Sequence, residues 1–134
     1  MNRQKLLNAV ESIATGMDYK FYSSDENYPT TQIKEYPSAW LLPPQFHSIE
    51  GRHHGTETYS LTLHLLSDAA KLSPVERSQT RTLLEEDLLQ MFTSLTDEEF
   101  VAEVENLKIR YSSNSVARHG EVVATATAEV ITFF

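Results

Sequence analysis

Residues 73–95 read SPVERSQTRTLLEEDLLQMFTSL and predict the clearest helix of the chain, which lies between two predicted strand pairs. Ser73 is a good N-cap, Pro74 suits the first helical position, and Glu76 completes a capping box. An apolar stripe at spacings of four, three and four residues marks the buried face; it consists of Leu84, Leu88, Met91 and Leu95, and Leu83 and Phe92 are expected to widen it.

The segments on either side of this helix predict a second helix and several strands. Residues 2–16 have a helical apolar period, and Gly16 is expected to end that helix in the left-handed conformation. Residues 37–42 predict a buried strand with Trp40 as a core aromatic. Further strands are predicted at 58–66, 105–111 and 122–134, and the short aromatic segment 19–22 is a candidate strand.

This order of segments predicts an α+β fold with one mainly antiparallel sheet. The elements run α-β-β-α-β-β, and short connections place both helices on one face of the sheet. The other face carries Ser60, Thr62 and His64, with Thr125 and Thr127 beside them, so it is expected to be solvated or covered by a second subunit. The 134 residues fit a single domain, 1–134.

The composition limits the classes of protein to which the chain could belong. Charged residues make up 22% of the chain and hydrophobic residues 40%, which is typical of a globular protein. The formal net charge of −8 disfavours direct binding to nucleic acid, because an acidic surface repels phosphates. No apolar run is long enough to span a membrane. The absence of cysteine is consistent with a cytoplasmic location.

We find no pattern of catalytic or cofactor-binding residues. The four glycines are too sparse for a phosphate-binding loop, and the paired acids lie on predicted helix surfaces or helix ends. Adjacent side chains such as His53 and His54 seldom point at one ion, so we expect no metal site. The sequence therefore predicts a protein without a cofactor and without enzymatic activity.

The layout resembles that of the tail-terminator and head–tail joining proteins of tailed bacteriophages and prophages. The resemblance covers most of the chain and rests on an N-terminal helix (6–17), YPSAWLL, a polar loop, TYSLTLHLL, a Pro-capped helix ending in LLQMF, and the pair LKIRY and EVVATATAEVITFF. It implies a structural subunit that forms a ring, with six copies as the expected number, on a tail tube or connector. Other tail or connector proteins would be its partners, and the virion its final location.

Two segments are candidate subunit contacts under this resemblance. Residues 45–56 predict a long loop with an unusual mixture of apolar and basic residues, and the chain ends in two aromatics. The candidate interface residues are Phe46, Ile49, Arg52, His53, His54, Arg118, Phe133 and Phe134. The competing interpretations are a plain connecting loop and, as we favour for the C-terminus, a last strand buried in its own sheet.

Two other functions remain open on the sequence alone. A small cytosolic module could bind a ligand or peptide on the open sheet face around Thr62 and His64, or recruit a strand at a sheet edge. An enzyme could use acids or histidines of residues 45–56. A concave pocket would favour the binding module, a pocket with a perturbed acid or histidine would favour the enzyme, and large self-interfaces would favour the ring.

Overall fold

A computed structural model describes residues 1–24, 33, 35–111 and 120–134. The described residues form two helices and one sheet of six strands, so the α+β prediction is confirmed. The elements in chain order are α1 (Arg3–Gly16), β1 (Lys20–Ser23), β2 (Ser38–Leu41), β3 (Gln45–Gly51), β4 (Gly55–Ser67), α2 (Pro74–Leu95), β5 (Val101–Tyr111) and β6 (Val122–Phe133).

The helix α2 begins as the sequence predicts. The Ser73 hydroxyl accepts a hydrogen bond from the Glu76 backbone N–H, and the Glu76 carboxylate accepts one from the Ser73 N–H, each at 3.2 Å. The predicted stripe is buried, together with Phe92. Leu83 is exposed, contrary to our expectation, because it lies on the side of the helix turned away from the sheet.

The helix α1 ends at Gly16, but a different residue adopts the left-handed conformation. Asp18 has a φ of 66°. The Tyr19 N–H donates to the Ala14 carbonyl at 3.0 Å, and the Asp18 N–H donates to the Thr15 carbonyl at 3.1 Å. This is a Schellman motif with aspartate in place of the usual glycine. The expectation that Gly16 supplies this conformation is therefore wrong.

The sheet has the order β1-β2-β4-β6-β5, and β3 also pairs with β4. The pairs are antiparallel except for β1 with β2. The strands β2 and β3 lie on the same side of β4, where β2 pairs with its C-terminal half and β3 with its N-terminal half. On this side, β4 is therefore bordered by β3 in one half of the sheet and by β2 in the other half.

Both helices pack on one face of the sheet, as predicted. The inward residues of β4 and β6 join the buried residues of α1 and α2 in a single apolar cluster. The predicted alternation is confirmed on both strands, since the inward positions are Tyr59, Leu61, Leu63 and Leu65 in β4 and Val122, Ala124, Ala126, Ala128 and Val130 in β6. We call this the helix face, and the opposite one the outer face.

The prediction of a loop over residues 45–56 is wrong, because most of this segment forms β3 and the start of β4. The register shifts between Phe46 and Ser48, which is a β-bulge at His47. Phe46 pairs with Tyr59 and Ile49 pairs with Glu57, so both apolar residues lie on the helix face although they are three residues apart. The bulge therefore hides the two-residue period that would have identified the strand.

Candidate functional site

A β-hairpin joins β3 to β4, and its turn carries Arg52, His53 and His54 between two glycines. Gly51 has a φ of 93°, in the left-handed region that favours glycine. A Cβ atom on Gly51 would lie 2.5 Å from the His54 carbonyl oxygen, and one on Gly55 would overlap the Glu50 carbonyl oxygen. The two glycines therefore allow the close turn that presents the basic tip.

The hairpin is held against the start of α1. The Arg3 Nε donates to the Pro44 carbonyl oxygen at 3.0 Å, and the Arg3 guanidinium lies 6.0 Å from the centre of the Tyr59 ring. The Phe46 ring meets the Tyr59 ring edge to face, with centres 5.8 Å apart. These contacts fix the hairpin relative to the core, although Phe46 itself remains 41% exposed.

The C-terminus lies beside the hairpin turn. Phe133 pairs with Thr56 in the sheet, and the Phe134 N–H donates to the Gly55 carbonyl oxygen at 3.1 Å. The strand β6 is central in the sheet, yet the Phe133 and Phe134 side chains are 52% and 38% exposed. The two terminal rings are therefore available at the surface, next to the tip of the hairpin.

A buried polar network ties the N-terminus to the same end of the sheet. The Glu57 carboxylate accepts hydrogen bonds from the Asn2 backbone N–H at 3.0 Å and from the Tyr59 hydroxyl at 3.1 Å. The Asn2 side-chain amide donates to Thr132 Oγ1 at 2.8 Å and to the Phe133 carbonyl oxygen at 2.7 Å. Burial, and next the bond to Glu57, raises the pKa of Tyr59, so the phenol remains a donor.

Our sequence reasoning missed this network, although the pattern held a signal for it. Glu57 precedes Tyr59 by two residues, so strand periodicity places it on the helix face. A carboxylate at an inward position requires hydrogen-bond donors nearby. Its donors are the Asn2 N–H in the N-terminal segment and the Tyr59 hydroxyl in β4. Asn2 is distant in sequence, so it could not be identified as a donor without the tertiary structure.

The structure brings together seven of the eight residues that we predicted as an interface. They lie at one end of the sheet, which we call the hairpin end: Phe46, Ile49, Arg52, His53, His54, Phe133 and Phe134. Ile49 is 54% exposed, and the residues of the tip are exposed too. Arg118 lies outside the described residues. The hairpin end thus combines exposed apolar side chains with a basic tip.

The opposite half of the outer face is covered. Trp40, His64 and Thr125 are neighbours in one row across β2, β4 and β6, and we call this region the Trp40 end. The Trp40 and His64 rings are 4.6 Å apart, and the Trp40 Nε1 donates to the Ser24 carbonyl oxygen at 3.0 Å. Ile33 completes a small apolar cluster there with Trp40, Leu66 and Val123.

His64 is an internal residue of the Trp40 end and not part of an open binding face. Its Nδ1 shares a hydrogen bond of 2.6 Å with Thr125 Oγ1, and the residue is 6% exposed. Burial, with a smaller contribution from Arg110, lowers the pKa of His64 to about 4. The imidazole is therefore neutral at physiological pH.

The described residues offer little space for a ligand in the core between the helices and β4. A cavity there has a volume of about 10 Å³, roughly that of one water molecule, whereas ligand pockets are typically about 300–1,000 Å³. Its lining is apolar and consists of Val10, Ile13, Leu63, Met91, Phe92 and Leu95.

The histidines do not converge with acids in the part of the chain that the structure describes. No group of three or more histidine, aspartate or glutamate side chains there could hold a metal ion. His47 faces Glu129 at 3.9 Å, and the acids on α2 include Asp87, which accepts a hydrogen bond of 2.6 Å from the Tyr19 hydroxyl. These acidic and histidine side chains take part in local pairs.

Within the described ranges, no helix combines the length and the apolar character needed to cross a membrane. A comparison of the sequence with protein-family models and with curated proteins finds no match.

Proposed function

We propose that this chain is a non-enzymatic structural subunit that assembles with copies of itself into a ring at the end of a bacteriophage tail. Its partners would be other tail or connector proteins, and it would pass from the host cytoplasm into the virion. The observation that carries the proposal is the hairpin end, where candidate contact residues from two distant segments are exposed at one end of the sheet, Phe46 and Ile49 on the helix face and Phe133 on the outer face.

The exposed apolar residues of the hairpin end support self-association. Ile49, Phe46, Phe133 and Phe134 are large side chains that the folded chain leaves partly in water. Apolar area at one end of a subunit is favourably buried against another protein, and aromatic residues are enriched in such contacts. These four side chains do not belong to the apolar core cluster, which supports their use in a contact with another chain.

The order of elements supports the more specific assignment to phage tails. The helix α1, the strand led by Pro37, the capped helix α2 and the final pair of β5 with β6 are the segments on which the resemblance to terminator and joining proteins rests. The segment that the resemblance treats as a polar loop is the β3–β4 hairpin. A hairpin anchored on α1 holds its contact residues in a defined geometry, which suits a repeated subunit contact.

The ligand-binding alternative has less support from the geometry. The outer face around His64 is filled by the Trp40 ring and by the hydrogen bond to Thr125. Thr62, the next outward residue of β4, is half-buried. We therefore favour the ring subunit over a module that binds a small molecule at this position.

Light scattering behind a sizing column tests the proposal over a range of protein concentration. We expect the wild-type chain to form a discrete species of several copies as concentration rises, and Ile49→Asp to remain a monomer. Leu83→Asp is the matched control, because Leu83 is equally exposed but lies on α2. A wild-type monomer at every concentration, or a loss of assembly in the control alone, would contradict the proposal.

A further inference from the structure

The sheet has one open edge on each side at its hairpin end. On one side β1 borders β2, but no described strand borders β3. On the other side β5 is the last of the described strands. An edge strand presents backbone N–H and C=O groups that can pair with another chain. The same subunit therefore carries two different strands that are suited to pairing with another copy.

The two edges lie at the same level of the sheet and run in opposite directions. The register places Ser48 of β3 in one row with Thr58, Ile131 and finally Glu103 of β5. Three successive antiparallel pairings separate β3 from β5, so the two strands are antiparallel to each other. A second copy placed alongside in the same orientation would thus present its β5 antiparallel to β3 of the first.

The side chains of the two edges differ in character at the hairpin end. On the helix face, Ile49 lies level with Val101 and Phe46 lies level with Val104; Val101 is buried in its own chain, so the apolar contact would form around the half-buried Val104. The N-terminal half of β5 also carries two exposed acids, Glu103 and Glu105. On the opposite edge, β3 and its turn carry Arg52 and three histidines (His47, His53 and His54) with a single acid, Glu50.

Bulges restrict how far such pairing could extend. The strand β3 has a bulge at His47, and β5 has irregularities between Val101 and Glu103 and between Glu105 and Lys108. Asn106 in the second of these has a φ of 54°. Bulges interrupt a ladder, and proteins use them to prevent unlimited edge pairing. Only a short ladder near Ser48 and Glu103 is therefore compatible with both edges.

We propose that β3 of one copy adds antiparallel to β5 of the next copy, in the register that brings Ser48 close to Glu103 of that neighbour. The inference rests on the proposed ring function, because it names the contact by which the ring would form. The two edges are different surfaces, so the contact is head-to-tail, and a repeated head-to-tail contact closes into a ring when its rotation allows. The sheets of all copies would then be continuous at their hairpin ends.

Disulfide cross-linking tests the strand pairing directly, because the chain contains no cysteine. In the double variant Ser48→Cys/Glu103→Cys, the two thiols of one copy are separated by three strand spacings, about 14 Å, which is too far for an internal disulfide. We expect oxidation of the assembled protein to give a ladder of dimers, trimers and larger species on a denaturing gel. Each single variant should remain uncross-linked.

The double variant Ser48→Cys/Lys108→Cys is the matched control, since it places the same two thiols on the same edges at different levels. The inference is overturned if this control forms the ladder equally well, or if Ser48→Cys alone gives dimers in high yield. A ring-sized native mass without a ladder in the first double variant would leave the ring standing and refute the strand pairing. A monomeric native mass would refute the ring itself.

Discussion

At the Trp40 end of the sheet the indole is 1% exposed and its N–H is hydrogen-bonded, whereas at the hairpin end Phe46, Phe133 and Phe134 remain 38–52% exposed. All four side chains are large aromatics that belong to the sheet or directly follow it. The Trp40 ring is covered because Ile33 packs with it and the tilted His64 ring lies against it. No described segment covers the rings of the three phenylalanines in this way.

The fold therefore buries the aromatic ring at the Trp40 end and leaves the aromatic rings at the hairpin end exposed to contact with another chain. The size of the side chain does not explain the difference in exposure, because the buried residue, tryptophan, is larger than the exposed phenylalanines. The difference lies in the contacts that the described residues make: Ser24 and Ile33, which precede β2, contact Trp40 on the outer face. We therefore expect the Trp40 end to matter for folding and the hairpin end to matter for association.

The largest expected effect is the substitution Trp40→Ala. It removes a buried aromatic ring, its contact with His64 and its hydrogen bond to Ser24, so the free energy of unfolding should fall by about 3–5 kcal/mol. Urea denaturation measures the change in the free energy of unfolding, at a protein concentration at which the protein is monomeric. Phe133→Ala is the control at the hairpin end, and it should change the same quantity by only about 0.5 kcal/mol.

The comparison fails if the two substitutions destabilise the monomer equally. A large loss for Phe133→Ala would mean that its ring contributes to the core, and the hairpin end would lose its assignment as a contact surface.

A smaller effect is expected from lowering the pH, because His64 is held neutral at the Trp40 end. Its pKa is about 4 in the folded chain, below the usual 6.5, so the unfolded chain takes up the proton first as the pH falls. Stability is therefore lost between about pH 6.5 and 4, and amounts to about 2 kcal/mol by pH 5. Urea denaturation at pH 7.5 and 5 measures the loss.

Acidic groups elsewhere also titrate in this range, so the loss is judged against a variant. His64→Gln should show a fall in stability that is smaller by about 2 kcal/mol over the same interval. An identical pH dependence in both proteins would show that His64 is not buried in the neutral form. The Trp40 end would then be more open than the geometry indicates.

The sequence predicted those parts of the fold that depend on neighbours along the chain. The capping box of Ser73 and Glu76 is a local arrangement within one helical turn, and the stripe from Leu84 to Leu95 follows from helical geometry. The strand β3 was missed because the bulge at His47 breaks its alternation. The exposure of Leu83 was missed because spacing alone does not define the width of a buried face.

The candidate site also depends on residues that are distant in the sequence, which local patterns cannot bring together. Residue types suggested Ile49 and Phe133 as contacts, but these residues are 84 positions apart (133 − 49) in the sequence. Only the pairing of β3 and β6 with β4 brings them to one end of the sheet. The buried network of Asn2, Glu57 and Thr132 joins segments just as distant, so no local pattern could have revealed it.

The most direct test of the account is the rate of amide hydrogen exchange at low and high protein concentration. We expect exchange in β3, Gln45–Gly51, to slow as copies associate, while exchange in β2, Ser38–Leu41, does not change. Unchanged exchange in β3 over a range in which the native mass rises would show that the copies associate elsewhere, and would contradict the assignment of the hairpin end as the contact surface.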